Sequence, residues 1–236
     1  PDYIAQKTAA PTAALTRDDR SKIIGLVALM LFVIIFWGVY EQQGNTLALW
    51  ADAPTDRVLF GWEMPASWFQ AVNPAMIFFL TPLITSLWSL QERRGREPSS
   101  VAKMAIGCML LGVSYLVMIP AANLSAAEGR VSMWWLTACI FILTVGELYL
   151  SPVGLSLVTK LAPPRMVSML MGMWFLATFG GNYLTGYLGT YWEKMGKENF
   201  FLMLALLALG AGAGIAAMLS PLKKAIGHGR REGVDM

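Results

Sequence analysis

The chain has 236 residues, of which 56% are hydrophobic and only 14% charged, with a formal net charge of +3. That balance is too apolar for a soluble domain of this length and points to a polytopic membrane protein, so the small positive charge is no sign of nucleic-acid binding. The two cysteines, Cys108 and Cys139, fall in apolar runs and offer neither metal-ligand spacing nor a disulfide framework, which leaves them as buried small hydrophobes.

Residues 1–21 are polar and rich in Ala, Thr and charge, as in a linker or interfacial segment. The chain opens Pro1-Asp2-Tyr3 without an initiator Met, so a piece of a longer protein is expected. Six apolar runs follow, at about 23–50, 68–90, 101–121, 131–158, 166–191 and 200–222. A bilayer-crossing helix needs about 20 mostly apolar residues. The expectation is therefore an all-α fold, a six-helix transmembrane bundle over 22–222 with a basic tail at 223–236. His228, in that tail, is expected to be simply solvated. Turn chemistry marks the joins: Asp52-Ala53-Pro54, Arg94-Gly95-Arg96-Glu97-Pro98, Pro120, Pro163-Pro164 and Lys194-Met195-Gly196.

Basic residues gather at alternate joins. Arg17, Arg20, Lys22, Arg93, Arg94, Arg96, Lys103, Lys160, Arg165, Lys223, Lys224, Arg230 and Arg231 make 13 on one side, against Arg57, Arg130, Lys194 and Lys197, which make 4 on the other. The positive-inside rule then places both termini in the cytoplasm. Trp50, Trp62, Trp68, Trp134, Trp135 and Trp192 lie near span ends on the opposite side, where an interfacial aromatic belt is expected.

The first run carries Trp37, Tyr40, Glu41 and Gly44 at spacings of three and four, on one helical face. Gln42, Gln43, Asn45 and Thr46 follow, and so many polar groups at membrane depth must line water or pair. The second run contributes Gln70 and Asn73-Pro74, whose amides serve either a site or the carbonyls freed by Pro74 and Pro82. In the fourth, Glu147 and Ser151 are four apart on one face, and Pro152 bends the helix beside them. An acid, a hydroxyl and a hinge together suggest a binding site with a moving part. Trp174 and Thr178 pair in the same way in the fifth run, with packing as the alternative for the indole. Gly180-Gly181 in that run suits close helix packing, a hinge, or both.

Glu41 and Glu147 are the only acids deep in the spans, and no Lys or Arg lies deep beside them. An unpartnered buried carboxylate is costly. Either both acids take up protons, or their basic partners belong to a segment outside this chain. Nothing suggests an enzyme: there is no His-Glu-x-x-His run, no facing Ser/Lys dyad, no phosphate-cradling glycine loop and no metal site.

Phe36-Trp37 through Glu41-Gln42-Gln43-Gly44, Phe69-Gln70-Ala71-Val72-Asn73-Pro74 and Gly146-Glu147-Leu148-Tyr149-Leu150-Ser151-Pro152-Val153-Gly154 resemble the C-terminal half of proton-dependent oligopeptide transporters, within the major facilitator superfamily. Met171-Gly172-Met173-Trp174-Phe175-Leu176 is similar to the family's eleventh helix. The resemblance implies helices seven to twelve of a proton-coupled importer of di- and tripeptides, a symporter working by alternating access. Its partners would be the N-terminal six-helix half, peptide, protons and the bilayer. The proton gradient would drive it with no cofactor, and the short join at 121–131 favours a bacterial inner-membrane protein.

By the same resemblance Trp37, Tyr40 and Trp174 shape side-chain pockets, and Asn73 bonds near the peptide's amino end. Glu147 binds that amino terminus with Ser151 beside it, and faces a fourth-helix lysine absent here. Glu41 pairs with an arginine of the absent first helix as a gate. Two alternatives remain: a same-fold carrier of another small solute, and a non-transporting membrane scaffold.

Overall fold

The computed structural model describes residues 16–219. Residues 1–15 of the expected linker and the tail at 223–236, with His228, Lys223, Lys224, Arg230 and Arg231, lie outside the described residues. The first helix, α1 (Arg17–Tyr40), starts inside the segment expected as a linker because Thr16 caps it. The Thr16 hydroxyl accepts from the Asp19 N–H at 3.0 Å, and the Asp19 carboxylate accepts from the Thr16 N–H at 3.1 Å. This reciprocal capping box satisfies two otherwise orphaned donors.

The first run is not one uninterrupted helix. α1 ends at Tyr40, a 3₁₀ turn spans Glu41–Gly44, and the short α2 (Thr46–Asp52) continues the path. The break falls on the polar stretch, where side-chain amides and hydroxyls compete with the helical ladder. Gln42 is fully buried there. Its Oε1 accepts from the Thr46 hydroxyl at 3.0 Å, and its Nε2 donates to the Thr185 carbonyl at 2.9 Å.

Five further helices complete the bundle: α3 (Phe69–Arg93), α4 (Ser100–Glu128), α5 (Met133–Leu161), α6 (Val167–Gly189) and α7 (Lys197–Ala217). Among the described residues, the stretches Asp19–Asp52, Ala66–Arg93, Ser100–Glu128, Met133–Leu161 and Lys197–Ala217 are long and apolar enough to cross a bilayer. The helix α6 misses that set although its 23 residues span about 34 Å, because Thr178, Gly180, Gly181, Asn182 and Thr185 dilute its apolar character. The architecture is that of an all-α polytopic membrane protein.

Two small β features add to it. Strand β1 (Thr55–Asp56) pairs in parallel with β4 (Val131–Ser132), tying together two joins at the same end of the bundle. Strands β2 (Val58–Leu59) and β3 (Trp62–Glu63) form a hairpin whose Phe60-Gly61 turn has positive φ at both residues, the twist that two-residue hairpins favour.

Pro120 is not a join. It lies inside α4, which continues to Glu128 and stops at Gly129, with φ of 84°. A proline removes one backbone donor, and the helix runs on through it here as it does at Pro74, Pro82 and Pro152 inside α3 and α5; all four rings are exposed.

Helix α4 is the centre of the bundle, packed on α5 and α7, while α1 packs on α6 and α7 and α3 mainly on α5. At the α4–α5 seam a Cβ on Gly107 would stand 2.7 Å from the Gly146 carbonyl oxygen, and one on Gly146 would stand 2.8 Å from that of Gly107. The two backbones touch, as small residues permit between membrane helices. Cys108 and Cys139 are buried free thiols in this core.

The aromatic belt is only partly interfacial. Trp62, Trp68 and Trp134 are exposed, but Trp50 and Trp192 are buried and meet edge to face at 6.5 Å, closing the core at that end. Lys197 pairs there with Glu193 at 3.4 Å and donates to the Trp192 carbonyl. Its sequence neighbour Glu198 bonds Asn199 instead.

Candidate functional site

The α4–α5 contact at Gly146 fixes the azimuth of α5, so that the next residue, Glu147, leaves the seam toward α1 and α3. Three helices converge on its carboxylate. Tyr40, the last residue of α1, donates its phenol to Glu147 Oε2 at 2.5 Å. Asn73 of α3 donates its amide Nδ2 to the same oxygen at 3.2 Å and to Thr144 Oγ1 at 2.9 Å. The Tyr40 hydroxyl also lies 3.4 Å from Asn73 Oδ1, and Thr144 donates on to the Ile140 carbonyl at 2.7 Å.

Tyr40, Asn73 and Thr144 are buried, whereas Glu147 is only half-buried. Among the described residues no Lys or Arg forms an ion pair with Glu147 or with Glu41. Neutral donors hold the carboxylate in place. A cationic group reaching it would add a charge-assisted hydrogen bond, about twice as strong as a neutral one.

Aromatic rings build the wall on the α1 side. Tyr40 stacks on Phe36 at 5.7 Å and meets Trp37 edge to face at 5.2 Å. Trp37 is half-buried, and its indole Nε1 is buried with no hydrogen-bond partner, as is the amide Oε1 of Gln43 in the following turn. Buried polar atoms are nearly always satisfied, so these two call for an explanation. Gly181 of α6 lets Trp37 sit where it does, because a Cβ at 181 would fall 2.3 Å from the Trp37 Cβ. Gly181 thus has a packing role whether or not it also bends; Gly180 stands at ordinary contact distance from Ile34.

The remaining expected residues stand further out. Glu41 is half-buried in the 3₁₀ turn next to Tyr40. Ser151 is half-buried one turn along α5 from Glu147, followed by the exposed Pro152 within the continuous helix. Trp174 is 2% exposed, and its indole fills the space that a Cβ on Gly154 would take, so it is packed between α5 and α6. Thr178 returns its hydroxyl to the Trp174 carbonyl at 3.4 Å. Gln70 is exposed and donates to the Gln43 carbonyl at 3.3 Å, bridging the 3₁₀ turn to α3.

One residue of the site was not singled out from the sequence, and one that was has a partner the sequence did not show. Thr144 stands three positions before Glu147, a same-face spacing that would have exposed it. Gln42 and its bond to Thr185 depend on the break after Tyr40, which no local signal placed. Among the described residues no cluster of three or more His, Cys, Asp or Glu side chains is placed to hold a metal.

Residues 4–214 match the sequence profile of the POT family. The chain is 37% identical over 179 residues to a peptide transporter of Yersinia enterocolitica, covering 75% of this chain and 35% of that protein. It is 32% identical over 217 residues to a di-/tripeptide transporter of Lactococcus lactis, covering 90% of this chain and 43% of that protein. The chain therefore spans about two fifths of the length of these curated relatives. Its fold superimposes on the crystal structure of a peptide transporter in complex with sulfate with a TM-score of 0.82 at 30% identity, covering 95% of this chain and 44% of that one. A transporter of the same family in complex with 5-aminolevulinic acid gives 0.77 at 27% identity, covering 92% and 45%.

Proposed function

The chain belongs to the POT family, and on that premise we propose that it forms the C-terminal six-helix half of a proton-coupled symporter for di- and tripeptides. The observation that carries the reading is the Glu147 carboxylate, held by the Tyr40 phenol and the Asn73 amide with no base among the described residues to neutralise it. A peptide's ammonium supplies the missing positive charge. The aromatic wall of Phe36, Trp37 and Tyr40 gives the adjoining side chain an apolar surface, and the unpartnered Trp37 Nε1 and Gln43 Oε1 suit the donors and acceptors of a peptide bond.

The N-terminal six-helix half is the partner in this reading. It supplies the first-helix arginine for Glu41 and the fourth-helix lysine that Glu147 faces between substrates. The apolar faces of α3 and α6, with Phe78, Phe79, Phe175 and Phe179 exposed, are suited to lipid and to that half. Alternating access then moves one half against the other around the midplane site, with Pro152 and the Gly180-Gly181 pair as points of bending. The setting is a bacterial inner membrane with both termini cytoplasmic.

Counterflow of labelled dialanine into liposomes holding the complete transporter tests the proposal. Exchange that unlabelled dipeptides inhibit supports it, and no exchange against internal unlabelled dialanine overturns it. A second solute class is favoured by one observation: the solved relative that holds 5-aminolevulinic acid, an ammonium-bearing non-peptide, covers 92% of this chain. Inhibition of exchange by such amino acids but not by dipeptides would select that reading.

A further inference from the structure

At the end of the bundle opposite the β strands lies a cleft of about 430 Å³ between α3, α4 and α5, lined by Trp88, Glu97, Ser99, Lys103, Ser156 and Lys160 among others. Its lining shares none of Tyr40, Asn73 and Glu147, and only Pro152, the bending point proposed in α5, belongs both to it and to the transport reading. The lining is mostly polar, and its side chains are chiefly donors: two ammonium groups and three hydroxyls, since Ser100 lines it too.

Lys103 is a buried cation in the first turn of α4. It is clamped between the Glu97 carboxylate, at 2.5 Å, and the face of the Trp88 ring, at 3.8 Å. Lys160 is exposed at the far wall. Trp88 itself meets Tyr149 of α5 edge to face at 5.3 Å, and its indole Nε1 is a buried donor without a partner. One acid therefore stands among two bases and three hydroxyls. Arg93, Arg94 and Arg96 stand in the same join, opposed by Glu92.

We propose that this cleft binds the phosphate group of an anionic phospholipid. A phosphate carries the several acceptor oxygens that such a donor set needs, and a volume of this size admits a headgroup. The cleft sits at the ends of three long apolar helices, the depth at which phospholipid headgroups lie. The neighbouring arginines raise the local concentration of anionic lipid, and basic pockets between membrane helices are known takers of such headgroups. In this arrangement Glu97 is the competitor: it holds Lys103 when the site is empty and yields to the phosphate when it is filled.

That competition sets the test. The complete transporter is reconstituted in mixed phosphatidylglycerol and phosphatidylcholine, extracted, and its retained lipid counted by native mass spectrometry. Lys160→Gln is expected to weaken phosphatidylglycerol retention about fivefold, the equivalent of about 1 kcal/mol for one interfacial cation. Glu97→Gln is expected to strengthen it, because Lys103 is released to the lipid. Lys197→Gln, at the other end, should change nothing. If Glu97→Gln weakens retention, the Lys103–Glu97 pair is only a structural clamp and the proposal fails. Equal retention by Lys160→Gln and the unaltered protein also overturns it. So does competition by free inorganic phosphate with no selective retention of phosphatidylglycerol over phosphatidylcholine.

Discussion

The Tyr40 phenol donates to Glu147 Oε2 across 107 positions of sequence, joining the last residue of α1 to the middle of α5. A hydrogen bond to a charged group contributes about 1.5–3 kcal/mol, enough to select one orientation of the carboxylate. Tyr40 is a positioning residue for that acid as well as part of the aromatic wall. Tyr40→Phe keeps the ring and its contact with Trp37 but frees the carboxylate. Its KM for free-amino dipeptides is expected to rise about tenfold, the consequence of roughly 1.4 kcal/mol. An unchanged KM in reconstituted uptake would show that Asn73 alone suffices.

The Gly107–Gly146 contact is what aims Glu147. Gly107→Ala places a methyl 2.7 Å from a backbone oxygen that cannot move without its helix, so the seam must open. Overpacking of this kind costs about 1–3 kcal/mol. The thermal unfolding midpoint of the detergent-solubilised transporter should fall, together with peptide affinity. Gly172→Ala, which meets nothing within 4 Å, should leave both unaltered. Equal midpoints for the two variants would mean that the seam is not the close contact described.

Much of this was legible in the sequence, for physical reasons. Apolar runs of bilayer length define helices almost by themselves, and an acid within one is expensive enough to mark a site, so Glu41 and Glu147 stood out. Tyr40 and Asn73 were legible as candidates, but their common partner was not, because it depends on the rotation of α5 set at Gly146. The end of α1 at Tyr40 was hidden because its signal is a side-chain network, Gln42 with Thr46 and Thr185, that exists only in the folded bundle. Proline misled at Pro120, which sits exposed on an α4 that continues through it to Glu128. Trp174 illustrates a third limit. Its spacing said nothing about Gly154, whose missing side chain gives the indole its place.

Glu41 stands half-buried beside Tyr40 with no base among the described residues to pair with it. If it closes the outer mouth against an arginine of the other half, Glu41→Gln keeps the shape and removes the pairing charge. Proton-driven uptake is then expected to drop at least fivefold while counterflow, which needs no gradient, is retained. Proton-driven uptake equal to that of the unaltered protein would remove Glu41 from the gate.

The orientation rests on the 13-to-4 distribution of basic residues between alternate joins. Glu92→Cys, in the last turn of α3 beside Arg93, Arg94 and Arg96, and Ala127→Cys, at the exposed end of α4, sit at opposite ends of the bundle. In intact cells a membrane-impermeant thiol reagent should label position 127 and spare position 92. Labelling at 92 alone would invert the topology.

The central claim is that Glu147 takes the peptide's ammonium, and it is tested by comparing the affinity of the complete transporter for dialanine and for N-acetyl-dialanine before and after Glu147→Gln. The substitution preserves size and leaves one oxygen to accept from Tyr40 and Asn73, while it removes the charge and turns the other oxygen into a donor. Affinity for the free-amino peptide is expected to fall about tenfold or more, following the worth of a charge-assisted hydrogen bond, with the acetylated peptide nearly unaffected. Equal losses for the two peptides would contradict the claim and assign Glu147 to the fold or the gate.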